Sequence, residues 1–164
     1  MSPVWNTTGS PALVHALLEA SDTYQGLQTG TAVPRRRFET TAALLEQGAV
    51  HILSEGDRLL GMFTMTATPR MPAHPDFPPA HKPAQLSRLA VAPELLAAGS
   101  LTGVRCVRKA IAVASALGAD VLRSEANPDL QGTRQLLDQL GFFQQGPVHT
   151  DESGRRFVYL QKTL

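Results

Sequence analysis

This sequence predicts an α/β fold, a single domain on a mixed central β-sheet flanked by helices. Three observations carry that expectation. Helix-like and strand-like runs alternate along the chain, without an internal repeat or a domain linker. Its 164 residues suit one domain and suffice to bury a real core. Apolar residues make up 43% and charged residues 18%, ordinary values for a globular chain.

The elements follow in order. In "SPALVHALLEAS", Leu13, Ala16, Leu17 and Ala20 recur at helical spacing, with Ser10 as N-cap and Pro11 at the first helical position. "DTYQGLQTGTAVPRRRF" reads as a connection rich in Gly and Thr, and "ETTAALLEQG" as a short helix ending at Gly48. "AVHIL" and "LLGMFTMTA" are β-prone runs on either side of "SEGDR", which makes them a hairpin. Residues 68–83 hold six prolines in sixteen residues, so they form neither a helix nor a central strand; a stiff loop beside a pocket fits them.

"AQLSRLAV" is the next strand. It leads through "PELLAAGSLTG" into the main helix, whose apolar face is expected to hold Val104, Val107, Ile111, Ala114 and Leu117, with Gly118 as its end. "ADVLRSEA" reads as a strand and "NPDLQGTRQLLDQLG" as a helix with Leu136, Leu137 and Leu140 inward. "FFQQGPVHTDESGRRFVYLQKTL" completes the chain as two strands joined at "DESG".

Composition excludes several function classes. A net charge of +1 points away from nucleic acid and from anionic membranes. The one basic cluster, Arg35-Arg36-Arg37, reads as a solvated run or a contact for phosphate or an acidic partner. No apolar run approaches the about 18 residues that a membrane span needs. The N-terminal "MSPVWNTTGS" lacks a basic segment followed by an apolar core, so no secretory signal is expected. Cys106 is the only cysteine, which excludes an intrachain disulfide and suits a reducing, cytoplasmic setting. The histidines show no metal-ligand spacing, so no metal is expected.

From Ala84 to the C-terminus the chain resembles the GNAT superfamily of acyl-CoA-dependent N-acyltransferases. "LSRLAVAP" is similar to the family's central strand, which leads into its pyrophosphate loop. "AGSLTGVRCV" stands where the family has Arg/Gln-Gly-x-Gly-x-Gly-x-x-Leu-Leu, and "SEANPDLQGTRQLLDQLGFFQQG" resembles its late strand, asparagine, helix and closing Leu-Gly-Phe. The resemblance implies splayed central strands and acetyl-CoA or another acyl-CoA as co-substrate. It implies that the backbone of Leu89, Ala90 and Val91 binds the pantetheine and acyl group. The segment Ala98, Gly99, Ser100, Leu101, Thr102 and Gly103 would hold the pyrophosphate at a helix N-terminus, and Asn127 would support the pantetheine and acyl group. The amine would attack directly, so proximity and carbonyl polarisation would supply most of the acceleration.

Two departures stand out. Ala98 replaces the usual Arg or Gln and Leu101 the middle glycine, while Gly99 and Gly103 keep the outer ones; the interval from Pro93 to the loop is about two residues long. The loop is therefore a working cradle, a site altered for a carrier protein's phosphopantetheine arm, or a turn. Leu137 stands where many members have a tyrosine acting as general acid, and leucine donates no proton.

Glu125, at the end of its strand, and His51, mid-strand, are the candidate general bases. His74 and His81 lie in the proline-rich segment. Ser87 and Arg88, adjacent on the central strand, are expected on opposite faces, with Arg88 needing an anionic partner. Cys106 reads as a packed thiol. The expected function is N-acyl transfer, most simply acetyl, to a small-molecule amine, with a homodimer left open. The alternatives are a catalytically weak or inactive acyl-CoA- or partner-binding domain and an acyltransferase using an acyl-carrier-protein donor. For the last, "LSRLAV" resembles the Ser-Arg strand of acyl-homoserine-lactone synthase relatives.

Overall fold

The computed structural model describes residues 2–67 and 75–164; His74 and the first part of the proline-rich segment lie outside the described residues. The elements are β1 (Val4–Asn6), α1 (Pro11–Thr29), α2 (Phe38–Glu46), β2 (Val50–Glu55), β3 (Arg58–Thr66), β4 (Pro83–Val91), α3 (Pro93–Ala97), α4 (Thr102–Ala116), β5 (Val121–Ala126), α5 (Gln131–Gln139), β6 (Phe143–Thr150) and β7 (Arg156–Thr163). The strands form one seven-stranded sheet in the order β1-β2-β3-β4-β5-β7-β6. β4 and β5 run parallel; β1–β2, β2–β3, β5–β7 and β6–β7 are antiparallel. The sheet is mixed and carries helices, as the sequence predicts.

The chain divides into two compact units, Met1–Thr64 with Arg88–Cys106 and Met65–Ser87 with Val107–Leu164. In the first, Val14, Leu17 and Leu18 of α1 pack with Leu44 and Leu45 of α2, Val50 and Ile52 of β2, and Met62 of β3. Each large side chain so buried contributes about 1.5–3 kcal/mol. Ser10 caps α1 by accepting from the Leu13 amide, with Pro11 in the first turn.

α1 differs from expectation by running on to Thr29, through residues that read as a connection. Gly26 explains it: a Cβ there would meet Val33 Cγ2 at 2.7 Å, so the chain folds back against a helix face that only glycine leaves open. That packing outweighs glycine's cost of about 1 kcal/mol inside a helix.

In the second unit, directly opposed residues of β5 and β7 share a face. One face carries Ser124 and Leu122 against Leu160 and Lys162; the other carries Arg123 and Glu125 against Gln161 and Tyr159. The polar face is closed by the end of the proline-rich segment. Buried Arg123 donates to Gln161 Oε1 at 2.9 Å and to the Pro78 carbonyl at 2.7 Å, with its guanidinium 4.5 Å from the centre of the Phe77 ring. Burial lowers the Arg123 pKa, the Asp120 charge opposing it. These contacts fix the last residues before β4 as an ordered loop.

The apolar face expected for α4 is rotated. Cys106, Val107, Ala110 and Ala114 are fully buried, whereas Leu117 is 43% exposed. The reason is the narrowness of the approach at Gly61 of β3, where a Cβ would lie 2.8 Å from Cys106 Sγ and 3.2 Å from Thr102 Cγ2. Small residues, not large aliphatic ones, face the sheet there.

Candidate functional site

The "PELLAAGSLTG" stretch is a short helix, a turn and a helix start, not a plain loop. Pro93–Ala97 forms α3, which accounts for the extra residues after Pro93. The amides of Ala98, Gly99 and Ser100 close α3, donating to the carbonyls of Glu94, Leu96 and Leu95. Gly99 takes a φ of 64°, a left-handed turn with open space where a Cβ would be. Ser100 Oγ donates to Thr102 Oγ1 at 3.0 Å and accepts from the Thr102 amide at 3.4 Å. The first α4 bond runs from the Arg105 amide to the Leu101 carbonyl.

The amides of Leu101, Gly103 and Val104 therefore donate to no protein acceptor among the described residues. Three undonated amides at the start of a fifteen-residue helix make an anion-attracting end. Of the six residues Ala98–Gly103, only Leu101 and Gly103 leave their amides available; the other four amides are spent on the turn. The Leu101 side chain is 72% exposed and fills no packed space. Arg105 and Arg108, exposed on the first two turns of α4, add positive charge that the loop pattern did not flag.

β4 is irregular. Its register with β5 runs from Pro83↔Val121 to Leu86↔Ser124, while β4 itself continues to Val91. Arg88 takes a φ of 51°, the only non-glycine residue among those described in the left-handed region. Such a residue costs about 1–3 kcal/mol and persists only where its surroundings hold it. It also interrupts the regular pleat at Arg88. Arg88 Nη1 donates to Thr41 Oγ1 of α2 at 2.9 Å. The amide of Val91 donates to Ser21 Oγ of α1 at 3.3 Å, and that of Ala92 to the Leu60 carbonyl.

At the end of β5, Glu125 Oε1 pairs with Arg155 Nη1 at 2.8 Å, and Arg155 Nε pairs with Asp151 at 3.1 Å. Burial works against the Arg155 charge, but the bonds from Glu125 and Asp151 outweigh it and raise its pKa. Tyr159, opposite Glu125, has its pKa raised by burial and by the charges of Glu125 and Asp76. Asp76 pairs with His149 Nε2 at 2.8 Å, and the Asp76 carboxyl occupies the space a Cβ on Gly146 would need.

Asn127 Oδ1 accepts the Asp129 amide at 2.9 Å in a turn before α5, which starts four residues later with Leu130 at its cap. Asn127 shapes that turn and does not cap the helix. Leu137 is 2% exposed, a core side chain.

His51 stacks on Phe63, ring centres 4.8 Å apart and planes 7° from parallel. His81 lies at the other end of β5 from Glu125: its amide donates to Asp120 Oδ2 at 2.7 Å, placing it roughly 17 Å along the strand. Cys106 is fully buried and its pKa is pushed up to about 12 by burial, against the charge of Arg105; it is a packed thiol. Arg36 pairs with Asp22 at 2.9 Å, and Arg37 lies in solvent. No group of three or more metal-ligating side chains occurs among the described residues, and none of the described helices is long and apolar enough to cross a membrane.

The residues missed by sequence reasoning are Thr41, Ser21 and His15, buried polar side chains on α1 and α2. They carried no motif; only the fold brings them to β4.

No family model and no curated protein sequence matches this chain. Solved structures do. A chain of the NatC complex bound to Gag peptide and CoA aligns over 100% of this chain and 99% of its own, with a TM-score of 0.68 and 14% identity. The ribosomal-protein-alanine N-acetyltransferase from Brucella melitensis aligns over 98% and 99%, with a TM-score of 0.67 and 17% identity. A GNAT family acetyltransferase from Streptococcus agalactiae 2603 aligns over 99% and 95%, with a TM-score of 0.66 and 13% identity. With whole-chain agreement over this element order, the fold is that of the GNAT superfamily of acetyltransferases.

Proposed function

We propose that the protein is an N-acyltransferase that moves an acyl group, in the simplest case acetyl, from acyl-CoA to an amine. The observation that carries this reading is the start of α4. Leu101, Gly103 and Val104 offer undonated amides after a turn in which the neighbouring amides are already satisfied. Such an end suits a pyrophosphate without any particular side chain, so the missing Arg or Gln at Ala98 does not remove the site. Arg105 and Arg108 are placed to add charge. The whole-chain likeness to a chain of the NatC complex bound to Gag peptide and CoA supports the same donor.

The backbone of Leu89–Val91 would receive the pantetheine and acyl group. The amine nitrogen attacks the carbonyl carbon directly, the carbon–sulfur bond breaks, and the amine loses a proton as the thiolate leaves. Glu125 is assigned as the group that accepts this proton, directly or through water, with Arg155 orienting its carboxylate. His51, stacked on Phe63, is the second candidate. No general acid stands at Leu137, and thiolate leaves without one. The acceptor is a small-molecule or peptide amine. A single buried cysteine suits a cytoplasmic protein, and the oligomer proposed for test is a homodimer.

A second reading is favoured by the Leu137 burial: a domain that binds acyl-CoA and turns it over slowly or not at all. Calorimetry with CoA and with pantetheine separates these readings. Micromolar binding of CoA, lost with pantetheine, supports the cradle; acetylation of a panel of amines then separates enzyme from binding domain. Equal or absent binding of both overturns the acyl-CoA assignment and shifts the weight to a carrier-protein donor.

A further inference from the structure

Four buried or half-buried polar groups on α1, α2 and β4 meet where the pleat of β4 breaks. Arg88, in the left-handed region at φ 51°, sends Nη1 to Thr41 Oγ1 at 2.9 Å. His15 Nδ1 lies 2.8 Å from the same oxygen, and His15 Nε2 lies 3.4 Å from Glu19 Oε1. Thr41 is 0% exposed and His15 8%. Three residues on, the Val91 amide donates to Ser21 Oγ, which is also 0% exposed and accepts from Gln25 Nε2 at 3.1 Å. A left-handed arginine and two buried hydroxyls in an apolar core are each unfavourable alone. Together they supply one another with partners: Thr41 Oγ1 meets both Arg88 and His15, and Ser21 Oγ accepts from the Val91 amide and Gln25 Nε2.

Hydrogen direction follows from the inventory of donors. Guanidinium only donates, so Thr41 Oγ1 accepts from Arg88. Its own proton is then free for His15 Nδ1, provided that imidazole is neutral and carries its proton on Nε2. That tautomer also presents Nε2–H to Glu19.

We propose that Thr41 and Ser21 are positioning residues that clamp the Arg88–Val91 segment at both ends, with His15 holding the Thr41 hydroxyl in place. The inference rests on the proposed function, since those peptide planes are the ones assigned to the acyl group. Thr41 grips the side chain at the left-handed residue and Ser21 grips the backbone three residues later. Between them α1 and α2 hold the segment by side-chain contacts, beyond Leu86, where the register of β4 with β5 ends. The Val91 amide is taken up by Ser21 Oγ, so the clamp would fix the peptide groups of Leu89 and Ala90, and preorganised donors act on an acyl carbonyl only when correctly aimed.

Isotope-edited infrared spectroscopy of bound acetyl-CoA, labelled with carbon-13 at the acyl carbonyl, tests this. In the wild-type protein the carbonyl stretch is expected below its solution value. In Thr41→Val and Ser21→Ala it moves back toward solution, while affinity for CoA, measured by calorimetry, stays within about twofold because the α4 end is untouched. Thr41→Ser restores the wild-type stretch. A merely structural role would lower the melting temperature without moving the stretch. An unchanged stretch in both hydroxyl deletions overturns the clamp and leaves acyl-CoA binding standing. If Thr41→Val does not fold, Ser21→Ala decides by the same readout. Absence of acetyl-CoA binding by the wild-type protein overturns the proposed function and the clamp with it.

Discussion

The polar groups beside the end of β4 in the first unit and those around the end of β5 and β6 in the second are held in opposite ways. In the first unit they are buried and held by fixed partners: Thr41 and Ser21 are fully enclosed, His15 nearly so, and Cys106 sits protonated under Gly61. In the second they form chains of charges that reach solvent: Glu125, Arg155 and Asp151 have side chains 29%, 50% and 36% exposed, and Asp76 with His149 about a quarter. The difference teaches which part of the chemistry is geometric. Buried hydroxyls and helix-end amides cannot adjust to salt or pH without local unfolding, so they suit the fixed reading of a donor. Exposed ion pairs contribute little to stability and rearrange readily, so they suit an acceptor that must be bound, deprotonated and released.

The comparison breaks most decisively at the start of α4. Gly103→Glu places a carboxylate among the undonated amides of Leu101, Gly103 and Val104. It repels a pyrophosphate and competes for its donors. CoA affinity measured by calorimetry should fall by a factor of about 100 or more, the order of one lost charge-assisted contact plus repulsion. Ser100→Glu should do the same through a neighbouring position. Unchanged affinity in both would mean that the first unit's fixed donors serve the fold and nothing else.

A smaller effect is expected at Gly61. Its absent Cβ lies 2.8 Å from Cys106 Sγ and 3.3 Å from the Ala90 carbonyl, so the neighbours include backbone that cannot swing away. Gly61→Val should destabilise the protein by about 1–3 kcal/mol in urea titrations, with Gly61→Ala milder. If the fixed geometry matters for donor binding, CoA affinity should fall in the folded fraction of Gly61→Ala as well. A stability loss without an affinity loss would separate packing under α4 from the α4 end itself.

How much of this could be read in advance follows the range of each interaction. The hairpin, β4, β5 and the α4 start are legible because glycines, β-branched runs and caps act over a few residues. α3 is not, since five residues after a proline are too few for a helical period to register, and β1, only three residues long, leaves no alternation to read. The tail of α1 is hidden by Gly26, whose packing against Val33 is visible only once the chain has turned. The α4 face is misjudged because Cys106 and Ala110 face the narrow approach at Gly61, a residue in a different element. Among the proposed site residues, Glu125 and Asn127 are picked out by their places at a strand end and before a helix. Arg155, the partner of Glu125, is thirty positions away, and Thr41, Ser21 and His15 read as ordinary helix-surface side chains until β4 meets them.

Alkaline titration sharpens the contrast further. The Cys106 thiol ionises at about 12 in the folded protein against 9.0 ordinarily, because burial disfavours the thiolate. A raised folded value means that this contribution to stability is complete below pH 9 and is lost as the pH climbs from there toward 12. The stability of the wild-type protein should decline across that window, and Cys106→Ala should flatten the decline after its own loss of packing. Thiol reagents at pH 8 should leave the native protein unmodified and label it once denatured. Labelling without unfolding would show that the first unit's interior opens more easily than its burial implies.

The smallest effect belongs to the exposed charges. Asp151 titrates at about 2, held down first by the Ser153 hydroxyl, then by Arg155 and the backbone amides of both, against the weaker pull of burial. A lowered carboxylate contributes order above its ordinary 3.8 and loses it as pH falls through about 2. Carbon-detected NMR of the Asp151 carboxyl should show this midpoint. Ser153→Ala should raise it more than Arg155→Ala, while neither change should alter global stability measurably. Arg155→Ala also frees Glu125, so any change it makes in the pH profile of acyl transfer reports on that carboxylate and not on folding. A midpoint that Ser153→Ala leaves in place would mean that Arg155 alone orders the turn; the charges of the second unit would then be coupled through a single side chain, and one arginine would link the hairpin tip to the proposed base.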